Sequence, residues 1–187
     1  MTKQINGGFD DSDMKIALPK KAKNGLSDIE IEHALAEMAA IRKQGILLQA
    51  EQVGAHMAAM VAGTPNEHGE TVTNQQMWLS VFGVTVGCEC CVHNPTAART
   101  VLNAFHSCFS KLCPEQYNNP GYSAALSFYY LAVRSVGDSK GEIARTFAML
   151  CGEEESEAFQ KIGLETYEKC LATMEHLAQP LNKQEDE

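Results

Sequence analysis

The spacing of the apolar residues constrains this fold more than any other feature of the sequence. Apolar side chains recur at intervals of three or four residues, as at Ile31, Leu35, Met38 and Ile41, and no stretch of any length alternates apolar with polar residues. An α-helix buries a stripe with this spacing, whereas a half-buried strand requires alternation. The sequence therefore predicts an all-α protein, a single-domain bundle of about six helices without a β-sheet.

The composition of the chain changes after the first 25 residues. Glycine, aspartate and lysine are frequent in residues 1–25, which contain few large apolar side chains. Such a segment buries too little apolar surface to offset the entropy of ordering it, so we expect a flexible N-terminal arm. Residues 26–187 form the predicted all-helical domain, which opens with a capping box at Ser27 and Glu30.

Local signals predict where the first helices begin and end. Gly45 and Gly54 interrupt the first helical pattern, which predicts either two helices or one bent helix. Thr73 and Gln76 have the spacing of a second capping box, and the helix that they predict ends near Gly87. We therefore expect a break in the helix just before a cysteine-rich stretch.

A third helix start follows that stretch. Asn94 is a preferred N-cap residue and Pro95 a preferred first helical residue, so the pair predicts a helix that runs to about Leu112. Further helical patterns cover residues 122–136, 141–151 and 154–178. The last of these patterns is long, amphipathic and acidic.

The charge of the chain excludes several classes of partner. The formal net charge is -9 at pH 7, and the acidic residues are concentrated after residue 151. Surfaces that bind phosphate concentrate lysine and arginine, so we expect neither nucleic acid nor an anionic membrane as a partner. No apolar run is long enough to span a bilayer, and the N-terminal residues lack the apolar segment of a signal peptide. These features predict a cytoplasmic protein.

The long helical patterns also bear on self-association. They carry more apolar positions than one small bundle readily covers. Because large exposed apolar patches usually mark sites of association, we expect a homo-oligomer, a dimer or larger.

Residues 86–99, VGCECCVHNPTAAR, concentrate three cysteines and a histidine within six positions: Cys88, Cys90, Cys91 and His93. Without an export signal, the seven cysteines of the chain are interpreted as reduced thiols. A structural zinc site needs four ligands, commonly two pairs from separate segments. Cys88 and Cys91 supply one pair, but the remaining histidines and cysteines form no clean second pair. We expect no metal and no cofactor, with structural zinc as an alternative.

The CxxC spacing of Cys88 and Cys91 also suits thiol chemistry. If the pair opens a helix, free N–H groups stabilise the thiolate of Cys91, and Gly87 provides a hinge just before the pair. This interpretation predicts that Cys91 is the more reactive thiol. The competing interpretation is that the cysteines pack as small apolar residues, and the sequence leaves both open.

The stretch GCECCVHNPTAA resembles the signature of the AhpD-like alkylhydroperoxidase and carboxymuconolactone decarboxylase superfamily, in which a glycine and a CxxC pair precede a helix of small residues. The later stretch GEIARTFAMLCGEEESEAF is similar to the family's helix, glycine turn and acidic helix start. The resemblance implies an all-helical AhpD-like fold. It also implies thiol-dependent reduction of peroxide by Cys88 and Cys91.

The groups that transfer protons in that family are replaced in this chain. Gln76 stands twelve residues before the first cysteine, where the family's peroxidases have glutamate. Cys90 and Pro95 stand where the family has histidines. Glutamine and proline can neither accept a proton from the attacking thiol nor protonate the leaving hydroxide. His93 is the nearest candidate for a replacement base.

These observations predict an AhpD-like binding or interaction module that has lost the peroxidase proton relay and binds a protein or a small molecule. The alternative is a thiol-dependent redox protein that reduces or senses a small-molecule oxidant, with Cys88, Cys91 and His93 as its catalytic residues. An unrelated helical bundle with structural zinc is the second alternative. The resemblance further predicts that Gln76→Glu, combined with Cys90→His and Pro95→His, raises peroxide turnover.

Overall fold

A computed structural model describes residues 32–33, 35–36, 39–40, 45–134 and 138–182. The contacts divide the chain into two compact units, residues 1–40 and 41–187. The described residues of the first unit are helical. The predicted arm at residues 1–25 and the capping box at Ser27 and Glu30 lie outside the described residues.

Seven helices and no strand occur in the described part of residues 41–187, which confirms the all-α prediction. None of these helices is both long enough and apolar enough to cross a bilayer. The helices are α1 (Ile46–Ala62), α2 (Glu70–Cys91), α3 (Pro95–Leu112), α4 (Pro114–Tyr117), α5 (Pro120–Val133), α6 (Ser139–Leu150) and α7 (Glu157–Asn182).

Helix α2 is the central element of this unit. Every residue from 77 to 84 is buried, so the middle of α2 is covered around its whole circumference, as in the core helix of a bundle. Val81 and Cys88 belong to an apolar cluster that α2 forms with α1, α3 and α7. Phe82 belongs to a second cluster, which it forms with residues of α5, α6 and α7. Helix α2 therefore separates two apolar cores.

Two glycines allow α2 to approach α7 closely. A Cβ atom placed on Gly83 would lie 3.0 Å from the Cβ atom of Cys170, and one on Gly87 would lie 2.8 Å from the Cβ atom of Met174. Both pairs are separated by four residues on their helices, so the contacts repeat over one turn. The prediction of a hinge at Gly87 is wrong, because Gly87 lies inside a continuous helix and is required there for packing.

A glycine has the same role between α1 and α3. A Cβ atom on Gly54 would collide with the carbonyl oxygen of Val101 and would lie 2.8 Å from the amide nitrogen of Phe105. Helix α1 begins directly after Gly45, whose φ angle of 74° lies in the left-handed region, and it continues through Gly54. A helix therefore begins directly after the first glycine, while the second is a packing residue inside it.

The observed helix starts show which sequence signals predicted a start correctly. Helix α2 begins at Glu70 after Gly69, without a side-chain cap, so the capping box predicted at Thr73 is wrong. The hydroxyl of Thr73 instead lies 3.0 Å from the carbonyl oxygen of Gly69, within the first turn. The predicted start of α3 is confirmed: Asn94 Oδ1 accepts hydrogen bonds from the two amides that follow Pro95.

We expect Gly54→Ala to destabilise the protein by about 1–3 kcal/mol, because the new methyl group meets backbone atoms that cannot move independently. This range already includes the gain of about 1 kcal/mol that alanine brings to a helix interior, which offsets part of the steric cost. Urea denaturation measures the difference. The matched control is Gly63→Ala, where the nearest atom to the new Cβ is the carbonyl oxygen of Ala59 at 3.3 Å. A Gly54→Ala protein at least as stable as the parent would contradict the packing role of Gly54.

Candidate functional site

The cysteine cluster occupies the last turn of α2, which ends at Cys91. The amide of Val92 donates to the carbonyl oxygen of Cys88 at 3.3 Å, and Val92 itself has an extended backbone conformation. The expectation that the CxxC pair opens a helix is therefore wrong. At this end the helix presents its partial negative charge, which disfavours a thiolate, whereas the N-terminal end would have favoured one.

The three thiols differ sharply in exposure. Cys88 is fully buried, and burial, together with the charges of Cys91 and Glu89, raises its pKa to about 12. Cys91 is half-buried, and burial, together with the charges of Cys90 and Glu175, raises its pKa above the usual range. Cys90 is exposed. Cys88, the partner of Cys91 in the CxxC pair, is therefore the least available of the three thiols as a nucleophile.

The geometry of the last turn also limits disulfide formation. Residues three apart on a helix have Cβ atoms about 5–6 Å apart, whereas a disulfide requires about 3.5–4.5 Å. All seven cysteines are free thiols. Oxidation of Cys88 with Cys91 therefore requires this turn to unwind.

Asn182, the last residue of α7, stabilises the last turn of α2 through two hydrogen bonds. Its side-chain amide donates to the carbonyl oxygen of Cys91 at 2.8 Å, and its Oδ1 accepts from the backbone N–H of His93 at 3.1 Å. One side chain thus satisfies a carbonyl at the end of α2 and an amide of the following segment. This role could not be predicted from local sequence signals, because Asn182 lies about ninety residues from its partners.

The residues proposed for a proton relay are not brought together. Gln76 lies twelve residues before Cys88 on the same helix, a separation of about 18 Å at the rise of an α-helix. The amide of Gln76 donates to Thr166 Oγ1 on α7 at 3.5 Å. His93 is exposed beyond the end of α2, and Pro95 is the first residue of α3.

Four clefts of the described part of the chain lie away from the cysteine cluster. Their volumes are about 290, 540, 560 and 370 Å³. None has Cys88, Cys91 or His93 in its wall. Helix α7 lines three of them: one with α2, one with α1 and one with α6.

Within the described ranges, no group of three histidine, cysteine, aspartate or glutamate side chains is arranged to hold a metal ion. The sulfur of Cys170, also fully buried, is instead used in packing and donates to the carbonyl oxygen of Ser80 at 3.3 Å. The alternative of a structural zinc site therefore finds no set of ligands among these residues.

No protein-family model, curated protein or solved structure matches this chain.

We expect the three clustered thiols to react with iodoacetamide in the order Cys90, then Cys91, then Cys88. Only thiolates are nucleophilic, and a pKa of about 12 leaves about one Cys88 thiol in ten thousand ionised at pH 8. Because its pKa is raised, alkylation of Cys88 should accelerate as the pH rises from 8 towards 11. Peptide mapping by mass spectrometry at timed intervals measures each rate. Alkylation of Cys88 before Cys90 in the folded protein would contradict the described burial.

The same assay tests the role of Asn182. Replacement by alanine removes both hydrogen bonds to the end of α2, so we expect Cys91 to react faster while the rate of exposed Cys90 stays unchanged. Equal acceleration at both cysteines would indicate general unfolding instead.

Proposed function

We propose that this chain is a binding or interaction module of AhpD-like type that does not reduce peroxides. The observation that carries the proposal is the position of Cys88 and Cys91 in the last turn of α2, outside the walls of the four clefts. A thiol peroxidase needs an accessible thiolate with an acid–base group beside it. Burial and the negative helix end both work against such a thiolate here.

The packing of Cys88 supports a structural role instead. Cys88 continues the buried stripe of α2 formed by Met77, Val81 and Val84, at helical spacing. A neutral thiol in such a stripe behaves as a small apolar side chain. The cysteine thus contributes to the core that holds α1, α3 and α7 against α2.

The arrangement of α7 supports binding as the function. This helix lines three clefts and presents glutamates 157, 165, 168 and 175 to solvent. Two of these charges are locally paired, Glu168 with Lys140 at 2.7 Å and Glu165 with Lys161 at 3.8 Å. Because exposed pairs contribute little energy, the clefts rather than the acidic face are the stronger candidates for ligand binding.

The second candidate is a redox protein that uses the Cys88 and Cys91 dithiol on a small-molecule oxidant. It is supported by the packing of both cysteines against one apolar cluster. It requires the end of α2 to unwind, and the two hydrogen bonds of Asn182 oppose that motion.

Contrary to what the resemblance predicts, we expect no thiol-dependent peroxide turnover above background, either in the parent or in the variant that combines Gln76→Glu, Cys90→His and Pro95→His. The reason is that a glutamate at position 76 remains about 18 Å along α2 from Cys88. Consumption of hydrogen peroxide with dithiothreitol as reductant measures the rate. The control is Cys88→Ala in the same background. A rise of about 10²-fold or more that Cys88→Ala abolishes would overturn the proposal and favour the redox candidate.

We also propose that the protein is a cytoplasmic homo-oligomer. The seven free thiols support a reducing compartment. Helix α5 carries Ala124, Phe128 and Leu131 at spacings of four and three residues, with Phe128 44% and Leu131 64% exposed. An apolar stripe on the outside of a helix is typical of an association surface.

Light scattering at micromolar concentration should give a mass of at least twice the 20.4 kDa of one chain. Phe128→Lys should lower that mass to one chain, whereas Leu48→Lys, an equally drastic change on α1, should not. A monomeric parent protein would contradict self-association.

A further inference from the structure

A groove between α1 and α7 has a volume of about 540 Å³. Val53, Leu177, Pro180 and Leu181 form its apolar walls. This volume lies in the range of sites for small organic molecules. None of the described residues that line the groove is an aspartate, glutamate, lysine or arginine, and two of them, His56 and His176, are histidines. A strongly charged ligand would therefore lose its hydration without gaining a permanent counter-charge from these residues.

One hydrogen-bond acceptor in the groove is unsatisfied. Gln49 lines the groove, and its Oε1 is shielded from solvent and accepts no hydrogen bond within the described residues. A buried amide oxygen without a donor carries a desolvation cost that a ligand donor can relieve. The last side-chain torsion of glutamine is soft, so a small rotation turns the amide towards a group in the groove.

A second acceptor lies on the opposite wall. Pro180 stands inside α7 and has no backbone N–H. The carbonyl oxygen of His176, four residues earlier, therefore lacks its helical donor. Both His176 and Pro180 line the groove. Two acceptors of residues that line this site thus lack a donor among the described residues, and both favour a ligand that donates a hydrogen bond.

We propose that the groove between α1 and α7 binds an uncharged apolar molecule that carries a hydroxyl or N–H donor, and that Gln49 accepts the hydrogen bond. This assignment rests on the proposed binding function and names the ligand class of one of its clefts. The phenol 2-naphthol is a suitable probe, since it has a two-ring apolar body and one donor. Its ether, 2-methoxynaphthalene, keeps the apolar body and lacks the donor.

Titration of the full-length protein with each probe, followed by ¹H–¹⁵N NMR, tests the proposal. We expect 2-naphthol to shift amide signals of α1 and α7 around the groove, with a Kd of about 1 mM or tighter. We expect 2-methoxynaphthalene to bind about 3- to 10-fold more weakly, as for loss of one neutral hydrogen bond. This comparison needs no variant, so it does not depend on how a substitution affects folding.

A matched pair of variants then locates the acceptor. Gln49→Leu should make the affinities of the two probes equal, whereas Gln52→Leu, the same change at an exposed glutamine of the groove, should preserve their difference. The absence of shifts at the groove, equal binding of both probes to the parent, or the same effect of both variants would each overturn this inference. None of these results would decide the proposed function, which the peroxide assay tests separately.

Discussion

The close approach of α2 to α7 is the contact on which the rest of the described fold depends. Gly83 and Gly87 leave space for the side chains of Cys170 and Met174, because a Cβ atom at these glycines would lie only 3.0 Å and 2.8 Å from the Cβ atoms of those residues. Because α2 is the central helix, this contact fixes both apolar cores relative to α7. It also brings the end of α7 to the end of α2, where Asn182 can reach across to the backbone.

The properties of the cysteine cluster depend on its position at the C-terminal end of α2. A CxxC pair at a helix start meets free N–H groups, whereas the pair here meets carbonyl groups. The amide of Val92 donates to the carbonyl oxygen of Cys88, and the side chain of Asn182 donates to that of Cys91, so neutral hydrogen bonds close the turn. Helix polarity favours neutral thiols in this turn, and burial adds to this effect at Cys88 and Cys91.

The helical fold class and the starts with strictly local signals could be predicted from the sequence. Asn94 and Pro95 define the start of α3 through bonds that span two or three residues. The glycine turn after α6 is also local: Gly152 has a φ angle of 80°, and the amide of Glu153 donates to the carbonyl oxygen of Ala148 at 2.9 Å. This pattern is the Schellman motif, in which glycine is favoured because it tolerates a positive φ.

The candidate site could not be predicted in the same way, because its decisive contacts are tertiary. Gly87 has the local signature of a hinge, yet the side chain of Met174, distant in sequence, determines its role. Thr73 and Gln76 match a capping box, but α2 begins three residues earlier, at Glu70, and Gln76 bonds to Thr166. Spacing alone also cannot tell which end of a helix a CxxC pair occupies.

The two groups to which a ligand would donate are hydrogen-bond acceptors that lack a donor within the described part of the protein. Pro180 lies inside α7 but has no backbone N–H to donate. Gln49 Oε1 is a buried acceptor that receives no hydrogen bond from the described residues. Such unsatisfied groups lower the stability of the free protein, and a matching ligand restores the missing bonds. At the cysteine cluster, by contrast, Asn182 already supplies bonds to the backbone at the end of α2. Acceptors without donors therefore favour ligand binding in the groove between α1 and α7, whereas the hydrogen bonds of Asn182 favour a rigid turn at the cysteines.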